Sequence, residues 1–420
     1  MPEKKEGPMQ DMIDRGNLSL QVTSTIGLLP VENARVSISY TGEDSVVEEI
    51  TTDNSGRTEA VSLPAPPLEW SLDAEQTNRP YAELNLQITA PGYQPVTIEG
   101  SELLADATAL QQVRMEPTEE MQQTEDIVIP DHTLYGEYPP KIPEEEIKPM
   151  AETGEIVLSK VVIPEYVVVH DGPPTDSRAT NYYVKYKDYI KNVVSSEIYA
   201  TWPEATIYAN TLCILSFTLN RVFTEWYRNK GYDFTITSST AFDQKWVYGR
   251  NIYENVDRIV DSVFANYLSR PGVKQPIFTS YCDGKRTTCN GLKQWGSKYL
   301  GDEGYSAIEI IRYYYGEDMY INTSETIAGV PYSWPGYDLT IGSSGEKVRQ
   351  LQQQLNRIAR NYPAIPTLTP DGIYGSGTAE AVRTFQKIFN LPQTGIVDYP
   401  TWFEISDIYV GVTRISEPDA

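Results

Sequence analysis

The stretch that decides the fold of the central part of the chain is residues 184–227, which read VKYKDYIKNVVSSEIYATWPEATIYANTLCILSFTLNRVFTEWY. Its first half repeats apolar residues at spacings of three and four, which predicts one face of an amphipathic helix. Its second half opens with Thr201, Pro203 and Glu204, a capping-box spacing with a proline in the first turn. We therefore predict a second, longer helix to about Tyr227. The apolar face of the first helix comprises Tyr186, Tyr189, Ile190, Val193, Val194 and Ile198.

Glu197 lies at the corner between the two predicted helices. It follows Val193 by four residues and Ile190 by seven, so it extends the apolar face of the first helix. A carboxyl at the edge of an apolar face is partly desolvated, and desolvation favours the protonated form that a general acid needs. The connection of residues 199–200 is short, so the chain turns sharply and a cleft could open here. On its own, a glutamate at a helix end is more often a solvated or capping residue.

Three motifs follow one another between residues 184 and 316. They consist of Tyr189, Ile190, Val193, Val194, Glu197 and residues 202–205, then residues 238–240 with Asp243, Gln244, Tyr248 and Gly249, then residues 291–296 and 308–316. In this order they resemble the stage II sporulation protein D family, also called the SpoIID/LytB domain. Characterised relatives are lytic transglycosylases that cut the glycan strands of peptidoglycan with a glutamate as the acid. The resemblance implies that Glu197 is the catalytic acid.

The same motifs contain the predicted substrate-binding residues. We expect Asp243, Gln244 and Tyr248 to position the substrate, and Gln294 and Trp295 to bind it. Asp243 could instead cap or brace its loop. Such an enzyme works with one carboxyl group because the C6 hydroxyl of N-acetylmuramic acid is the nucleophile, whereas ordinary glycosidases use two carboxylates.

Composition limits the partners and the location of the chain. A net charge of −24 over 420 residues would repel the phosphates of nucleic acid. The same negative charge opposes adhesion to an anionic cell wall, so binding to the wall needs shaped pockets. The 30 tyrosines of the chain offer flat aromatic faces for such pockets. No apolar run approaches the 18 residues of a membrane span, and the start, MPEKKEGPMQDMIDRGN, lacks the apolar region of a signal peptide. We expect a cell-wall, extracellular, spore or particle location.

The three cysteines and two histidines leave little room for a metal site. Cys213 lies in the apolar run of the second helix, and Cys282 and Cys289 flank a polar loop. That pair could close a disulfide loop, remain as free thiols or supply two metal ligands. Zinc takes about four ligands, and His132 and His170 are far away in sequence. We therefore predict a disulfide or free thiols, with no metal and no cofactor.

The C-terminal region contains the most specific motifs in the chain. Residues 342–348, 351–355 and 371–375, with Trp402 closing the region, resemble the type 1 peptidoglycan-binding domain family, a small three-helix module. Peptidoglycan is therefore the expected partner. Asp371 and Tyr374 could line a glycan pocket, and they could equally be structural turn residues.

The fold class that we predict is multidomain: an N-terminal all-β sandwich, a central α+β domain and a C-terminal three-helix module. Alternating strands and turns such as residues 52–58 resemble carboxypeptidase-regulatory-like sandwiches, which are docking or spacer modules, so a docking partner is expected for the sandwich. The predicted boundaries are a tail at 1–16, the sandwich at 17–116, an acidic, proline-rich linker at 117–164, the stage II sporulation protein D-like domain at 165–328, a linker at 329–338, the peptidoglycan-binding module at 339–410 and a tail at 411–420.

Two functions remain open at this point. The first is a peptidoglycan lytic transglycosylase anchored by its C-terminal module. The second is a non-catalytic peptidoglycan-binding component of a spore, a phage tail or a contractile-injection particle. The presence of Glu197 favours the enzyme. The residues Ser216, Phe217 and Thr218 favour the second, because relatives often have Ala-Arg-Thr at this place.

Overall fold

The computed structural model describes residues 12–43, 45–118, 124–148, 160–330 and 333–413. Most of the predicted terminal tails, 1–16 and 411–420, lies outside the described residues. None of the helices in these five ranges is long and apolar enough to cross a membrane.

The N-terminal region is built from two β-sheets. One sheet has the order β3-β2-β5-β6-β8, and the other joins β4, β1 and β7. Alternate residues of β2 are buried, as the period of two predicts, whereas β1 is buried on both faces over most of residues 18–24. The strands are β1 (Asp14–Ser24), β2 (Arg35–Tyr40), β3 (Glu48–Thr51), β4 (Val61–Ala65), β5 (Tyr81–Thr89), β6 (Val96–Leu104), β7 (Thr108–Met115) and β8 (Glu125–Val128).

The central region mixes helices with short strands, so the predicted α+β class is confirmed. Its helices are α1 (Tyr186–Glu197), α2 (Glu204–Phe223), α3 (Glu254–Val263), α4 (Gln294–Asp302) and α5 (Ala307–Tyr315). Its strands are β9 (Val162–Ile163), β10 (Tyr166–His170), β11 (Asn181–Lys185), β12 (Ile236–Thr237), β13 (Ile252–Tyr253), β14 (Asn266–Ser269), β15 (Tyr281–Cys282), β16 (Leu292–Lys293), β17 (Tyr320–Thr323) and β18 (Thr326–Ile327).

The helix pair that opens the central region forms as predicted, but its cap does not. The second helix ends at Phe223, four residues before the predicted Tyr227. The predicted capping box is wrong, because Pro203 is the cap residue and no side chain caps the helix. The Thr201 hydroxyl lies 2.7 Å from that of Ser71 instead. A contact with the N-terminal region therefore replaces the local cap.

The C-terminal module consists of α6 (Glu346–Ala359), α7 (Ser376–Ile388) and α8 (Tyr399–Thr413). One apolar face of each of the first two helices is fully or almost fully buried. These faces comprise Val348, Leu351 and Leu355 on α6, and Ala381, Val382 and Phe385 on α7.

The three regions pack into one hydrophobic core that extends from the first strand to the last helix. Strand β13 of the central region pairs antiparallel with β7 and widens the N-terminal sheet. On the other side, Lys187 of α1 forms ion pairs with Asp261 of α3 (3.1 Å) and Glu404 of α8 (2.5 Å). Helix α1 is thus held from both sides, and Glu197 is its last residue.

Candidate active site

The Glu197 carboxylate is completely buried and accepts four hydrogen bonds. Its Oε1 accepts from the backbone N–H of Lys245 (2.9 Å) and the hydroxyl of Tyr281 (3.3 Å). Its Oε2 accepts from Nε2 of Gln294 (3.0 Å) and the hydroxyl of Tyr138 (3.3 Å). All four donors come from different segments of the chain. A buried carboxylate needs such partners, because desolvation of an unpaired charge costs several kcal/mol.

The two phenols that face Glu197 remain protonated donors. Burial raises the pKa of Tyr138 well above its usual range, and the Glu197 carboxylate raises it further. Tyr281 shows the same shift for the same two reasons. Beside them, the carbonyl oxygen of the Gln294 side chain is buried and has no hydrogen-bond partner among the described residues. An acceptor without a partner next to a carboxylate is unusual in a folded protein and suits a ligand hydroxyl or amide.

Tyr138 belongs to a segment, residues 129–148, that we call the strap. It crosses the central region above Glu197. The Arg286 guanidinium donates to three successive strap carbonyls, those of Leu134 (2.9 Å), Tyr135 (2.9 Å) and Gly136. Farther along, the Ile142 N–H donates to the carbonyl of Ala241 (2.8 Å). Hydrogen bonds to the main chain of the strap therefore hold it on both sides of Tyr138.

The acidic end of the strap is held by arginines. Glu144 receives two hydrogen bonds from Arg221, at 2.6 and 2.9 Å. Glu146 receives two from Arg270, at 2.7 and 2.9 Å. Paired Arg–carboxylate contacts of this kind are among the stronger polar interactions in proteins. The segment that composition predicts to be an extended linker thus lies along the central region from residue 129 to residue 148.

Asp243 is buried in a network of internal partners. Its carboxylate accepts from Arg221 Nε (2.7 Å), the Tyr227 hydroxyl (2.6 Å) and both the N–H (2.9 Å) and the hydroxyl (2.7 Å) of Thr237. Burial by itself lowers the pKa of Arg221, but the carboxylates of Asp243 and Glu144 raise it, so the guanidinium stays charged. This arrangement matches the bracing alternative for Asp243, and a substrate contact for it stays a prediction.

Gln244 is also fully buried, next to Asp243. Its carbonyl oxygen accepts from the hydroxyls of Tyr189 on α1 (3.1 Å) and Thr218 on α2 (2.8 Å). Its amide donates to the carbonyl of Ile214 (3.2 Å). Gln244 therefore ties together the two helices that form the corner at Glu197.

The other predicted binding residues differ in how close they lie to Glu197. Gln294 contacts the carboxylate directly, and Trp295 follows it and lines a cavity of about 280 Å³ together with Tyr135 of the strap. Tyr248 is 41% exposed and lies three residues beyond Lys245, whose N–H donates to Glu197. Of these three residues, Gln294 is the one with a hydrogen bond to Glu197 among the described residues, and substrate binding by Gln294, Trp295 and Tyr248 stays a prediction.

Asp371 and Tyr374 lie apart from this site, in the C-terminal module. Asp371 accepts from the Ile373 N–H (2.8 Å) and the Gln352 amide (3.0 Å). Tyr374 is buried and donates its hydroxyl to the carbonyl of Gly395 (2.9 Å). Both side chains brace the turn that precedes α7. Glycan contact by them stays a prediction.

The polar loop after β15 is closed by a disulfide between Cys282 and Cys289, and Cys213 is a buried free thiol. No group of three or more potential metal ligands occurs in the part of the chain that the structure describes. His170 ends β10, where its Nδ1 is 2.7 Å from Asn181 Oδ1. Burial lowers the pKa of His132 well below its usual range, so this imidazole is neutral.

Sequence reasoning missed Tyr138, Tyr281 and Arg286. Tyr138 lies in a segment whose charges and prolines indicate a linker, and its only local signal is a tyrosine among acidic residues. Tyr281 directly precedes Cys282, and no motif marks it. Arg286 lies in the polar loop between Cys282 and Cys289, where the cysteines are the conspicuous residues. No periodic pattern relates these residues to Glu197, so a contact could not be inferred from spacing.

Two family models match separate parts of the chain. The model of the Stage II sporulation protein family matches residues 176–265, which include Glu197. That of the peptidoglycan binding domain matches residues 344–403, which form most of the C-terminal module. None of the curated proteins compared with the chain matches it.

Several solved structures resemble parts of the chain. The SleB N-terminal domain is 33% identical over 17% of this chain and 93% of its own, with a TM-score of 0.15. The Bacillus anthracis TIE protein is 15% identical, covering 25% of this chain and 17% of its own (TM-score 0.18). The minor pilin GBS52 of Streptococcus agalactiae is 13% identical, covering 26% and 48% (TM-score 0.18). The chain thus spans less than half of the last two proteins.

Proposed function

We propose that this chain, which combines a stage II sporulation protein domain with a C-terminal peptidoglycan-binding domain, is a lytic transglycosylase that cleaves the glycan strands of peptidoglycan. The observation that carries the proposal is the enclosed carboxylate of Glu197, which lies within the matched domain and accepts from Lys245, Tyr281 and Gln294. The C-terminal module would keep the tethered enzyme near its substrate and raise the local substrate concentration.

The reaction needs only this carboxyl group. When the Tyr138 hydroxyl is not bound to Oε2, that oxygen can carry a proton, which Glu197 gives to the glycosidic oxygen as the bond between that oxygen and C1 of N-acetylmuramic acid breaks. The resulting carboxylate then takes the proton of the C6 hydroxyl, whose oxygen bonds to C1 and closes a 1,6-anhydro ring. No water is consumed, which suits a site without solvent access. The free carbonyl oxygen of Gln294 would accept a hydrogen bond from the sugar.

The strap must leave before a glycan can reach Glu197. In the structure described here, which we call the closed form, the Tyr138 hydroxyl occupies the position next to Glu197 Oε2 that a substrate oxygen would need. The chain described here is therefore a latent form of the proposed enzyme. Loosening the strap should activate it.

We expect Arg286→Ala to raise the rate of glycan cleavage. The change removes the hydrogen bonds to the carbonyls of Leu134, Tyr135 and Gly136 without touching Glu197. Since a net hydrogen bond is worth about 1 kcal/mol, the open population should increase by at least roughly tenfold. The rate of release of soluble muropeptides measures the effect.

The matched control is Arg258→Ala. This arginine is exposed, pairs with Glu254 and makes no contact with the strap, so its removal should leave the rate unchanged. Hydrogen exchange of the Ile142 amide reports whether the strap has loosened. Faster exchange in Arg286→Ala at an unchanged cleavage rate would refute the latent form.

A non-catalytic wall-binding component is the second candidate. Two observations favour it: Glu197 is completely buried beneath the strap, and Ser216, Phe217 and Thr218 replace the Ala-Arg-Thr of relatives. In that case the strap would be a permanent part of the fold. The C-terminal module alone would then bind peptidoglycan.

Digestion of purified peptidoglycan separates the two candidates. The wild-type chain, Arg286→Ala and Glu197→Gln are incubated with the wall, and the soluble products are analysed by mass. Products with 1,6-anhydro ends from the first two proteins and not from Glu197→Gln are expected. Wall binding without products from any of the three would overturn the enzyme, and products with reducing ends would indicate a hydrolase.

A further inference from the structure

A groove lies between the N-terminal sheets and the central region, and we call it the interdomain groove. Its cavity has a volume of about 320 Å³. A space of this size suits a small ligand or a short stretch of a polymer. Its walls include Tyr182, Trp246 and Tyr248 from the central region, Asp188 from α1 and Arg114 from β7.

One wall of the groove is aromatic. The rings of Tyr182 and Tyr248 stack with centroids 4.9 Å apart, and Trp246 packs against Tyr182 at 5.2 Å. Tyr183, at 76% exposure, and Tyr166, at 38%, extend this wall. Soluble proteins seldom leave so many large rings together in a concave place unless they bind something there. The flat faces and polar edges of tyrosine match the apolar faces and hydroxyl rims of pyranose rings.

Two charged side chains of opposite sign line the groove. Arg114 is an exposed residue of β7, and the half-buried Asp188 interacts electrostatically with Lys185 and Lys191. Arginine is the side chain best suited to bind a carboxylate through two parallel hydrogen bonds. The lactyl group of N-acetylmuramic acid ends in a carboxyl group, which N-acetylglucosamine lacks. This group is a free carboxylate on glycan that carries no stem peptide, because the peptide is attached to it through an amide bond.

The groove is connected to Glu197 by a single loop and a single helix. The N–H of Lys245 donates to Glu197, and the next residues, Trp246 and Tyr248, line the groove. On α1, Asn192 also lines the groove, five residues before Glu197. At 1.5 Å per residue, that separation is about 7.5 Å along the helix axis. The groove therefore lies next to the loop and the helix that hold Glu197.

We propose that the interdomain groove is a saccharide subsite that selects muramyl-containing glycan. The aromatic wall holds the sugar rings, and Arg114 pairs with the lactyl carboxylate. The ligand class rests on the proposed function, but binding in the groove does not require cleavage. The N-terminal region, through β7, thereby takes part in substrate selection.

Site-resolved binding tests this proposal. The full chain with Glu197→Gln is labelled with 5-fluorotryptophan and titrated separately with two tetrasaccharides. The first, the muramyl tetrasaccharide, alternates N-acetylglucosamine and N-acetylmuramic acid. The second is chitotetraose, which lacks lactyl groups. The change Trp246→Phe assigns the Trp246 fluorine signal. Binding in the groove should shift that signal, whereas binding to the C-terminal module should shift the signal of Trp402.

Substitution of Arg114 tests the selectivity. We expect Arg114→Gln to weaken binding of the muramyl tetrasaccharide by about tenfold, the effect of losing a charge-assisted pair. Its affinity for chitotetraose should stay unchanged. Arg258→Gln, a matched exposed arginine outside the groove, should change neither affinity.

The outcomes separate this proposal from the enzyme assignment. The selective subsite is refuted if the Trp246 fluorine signal does not shift at saturating muramyl tetrasaccharide. It is also refuted if Arg114→Gln weakens the binding of both tetrasaccharides equally. Either result would refute the subsite even where the wild-type chain releases anhydro products. A shifted Trp246 signal with the expected Arg114 dependence, but without products from the wild-type or Arg286→Ala chain, would uphold the subsite and refute the enzyme.

Discussion

Replacing Glu197 by glutamine is expected to lower the release of anhydro-muropeptides by about a thousandfold, within the range that a lost general acid usually costs. A glutamine side chain cannot transfer a proton to the glycosidic oxygen or accept one from the C6 hydroxyl. Its carbonyl oxygen can still accept from the Lys245 N–H and the Tyr281 hydroxyl, so the local structure should persist. The amide group of the new side chain can donate to the free carbonyl oxygen of Gln294 after that amide rotates. The initial rate of product release, measured in the Arg286→Ala background, reports the effect.

Glu204→Gln provides the matched control for this experiment. Glu204 begins α2, is exposed and lies outside the set of groups that contact Glu197. Its replacement should change the rate of product release by less than about twofold, as expected for a surface substitution away from the catalytic residue. A Glu197→Gln chain that keeps more than a tenth of the activity while unfolding at the same denaturant concentration would exclude Glu197 as the acid.

The change Arg221→Met is expected to lower the free energy of unfolding by about 3–5 kcal/mol, the usual result of removing one partner of a buried ion pair. Arg221 is 1% exposed and bonds both Asp243 (2.7 Å) and Glu144 (2.6 and 2.9 Å). Methionine fills much of the same volume but leaves the buried Asp243 carboxylate without its cation, while Glu144 keeps its ion pair with Lys148 (2.6 Å). The midpoint of urea unfolding, followed by far-ultraviolet circular dichroism, measures the change.

Arg258→Met is the control for charge removal on a helix surface. Its pair with Glu254 is exposed, and such pairs contribute at most about 1 kcal/mol. The unfolding midpoint should therefore move little. If Arg221→Met unfolds at the same urea concentration as Arg258→Met, the Asp243 network does not stabilise the fold, and a substrate role for Asp243 becomes the better explanation of its position.

The sequence by itself determined the parts of this protein that depend on near neighbours. Spacings of three and four residues predict α1 and α2, because one helical face repeats at that period. The motifs between residues 342 and 375 predict the C-terminal three-helix module. The three motifs located Glu197 at the end of its helix.

Only the tertiary structure decided what surrounds Glu197. Its four donors lie 48 to 97 positions away in sequence, and side-chain contacts between such distant residues leave no periodic signal. The strap shows the same limit of sequence-based prediction. Its acidic composition indicates a solvated linker, whereas in the folded chain Arg221 and Arg270 lie beside its glutamates. Burial of Asp243 and Gln244 likewise depends on how α1, α2 and their loop pack together. Local periodicity therefore gives the elements of this chain, while the enclosure of the candidate acid depends on hydrogen bonds and ion pairs that exist only after the chain has folded.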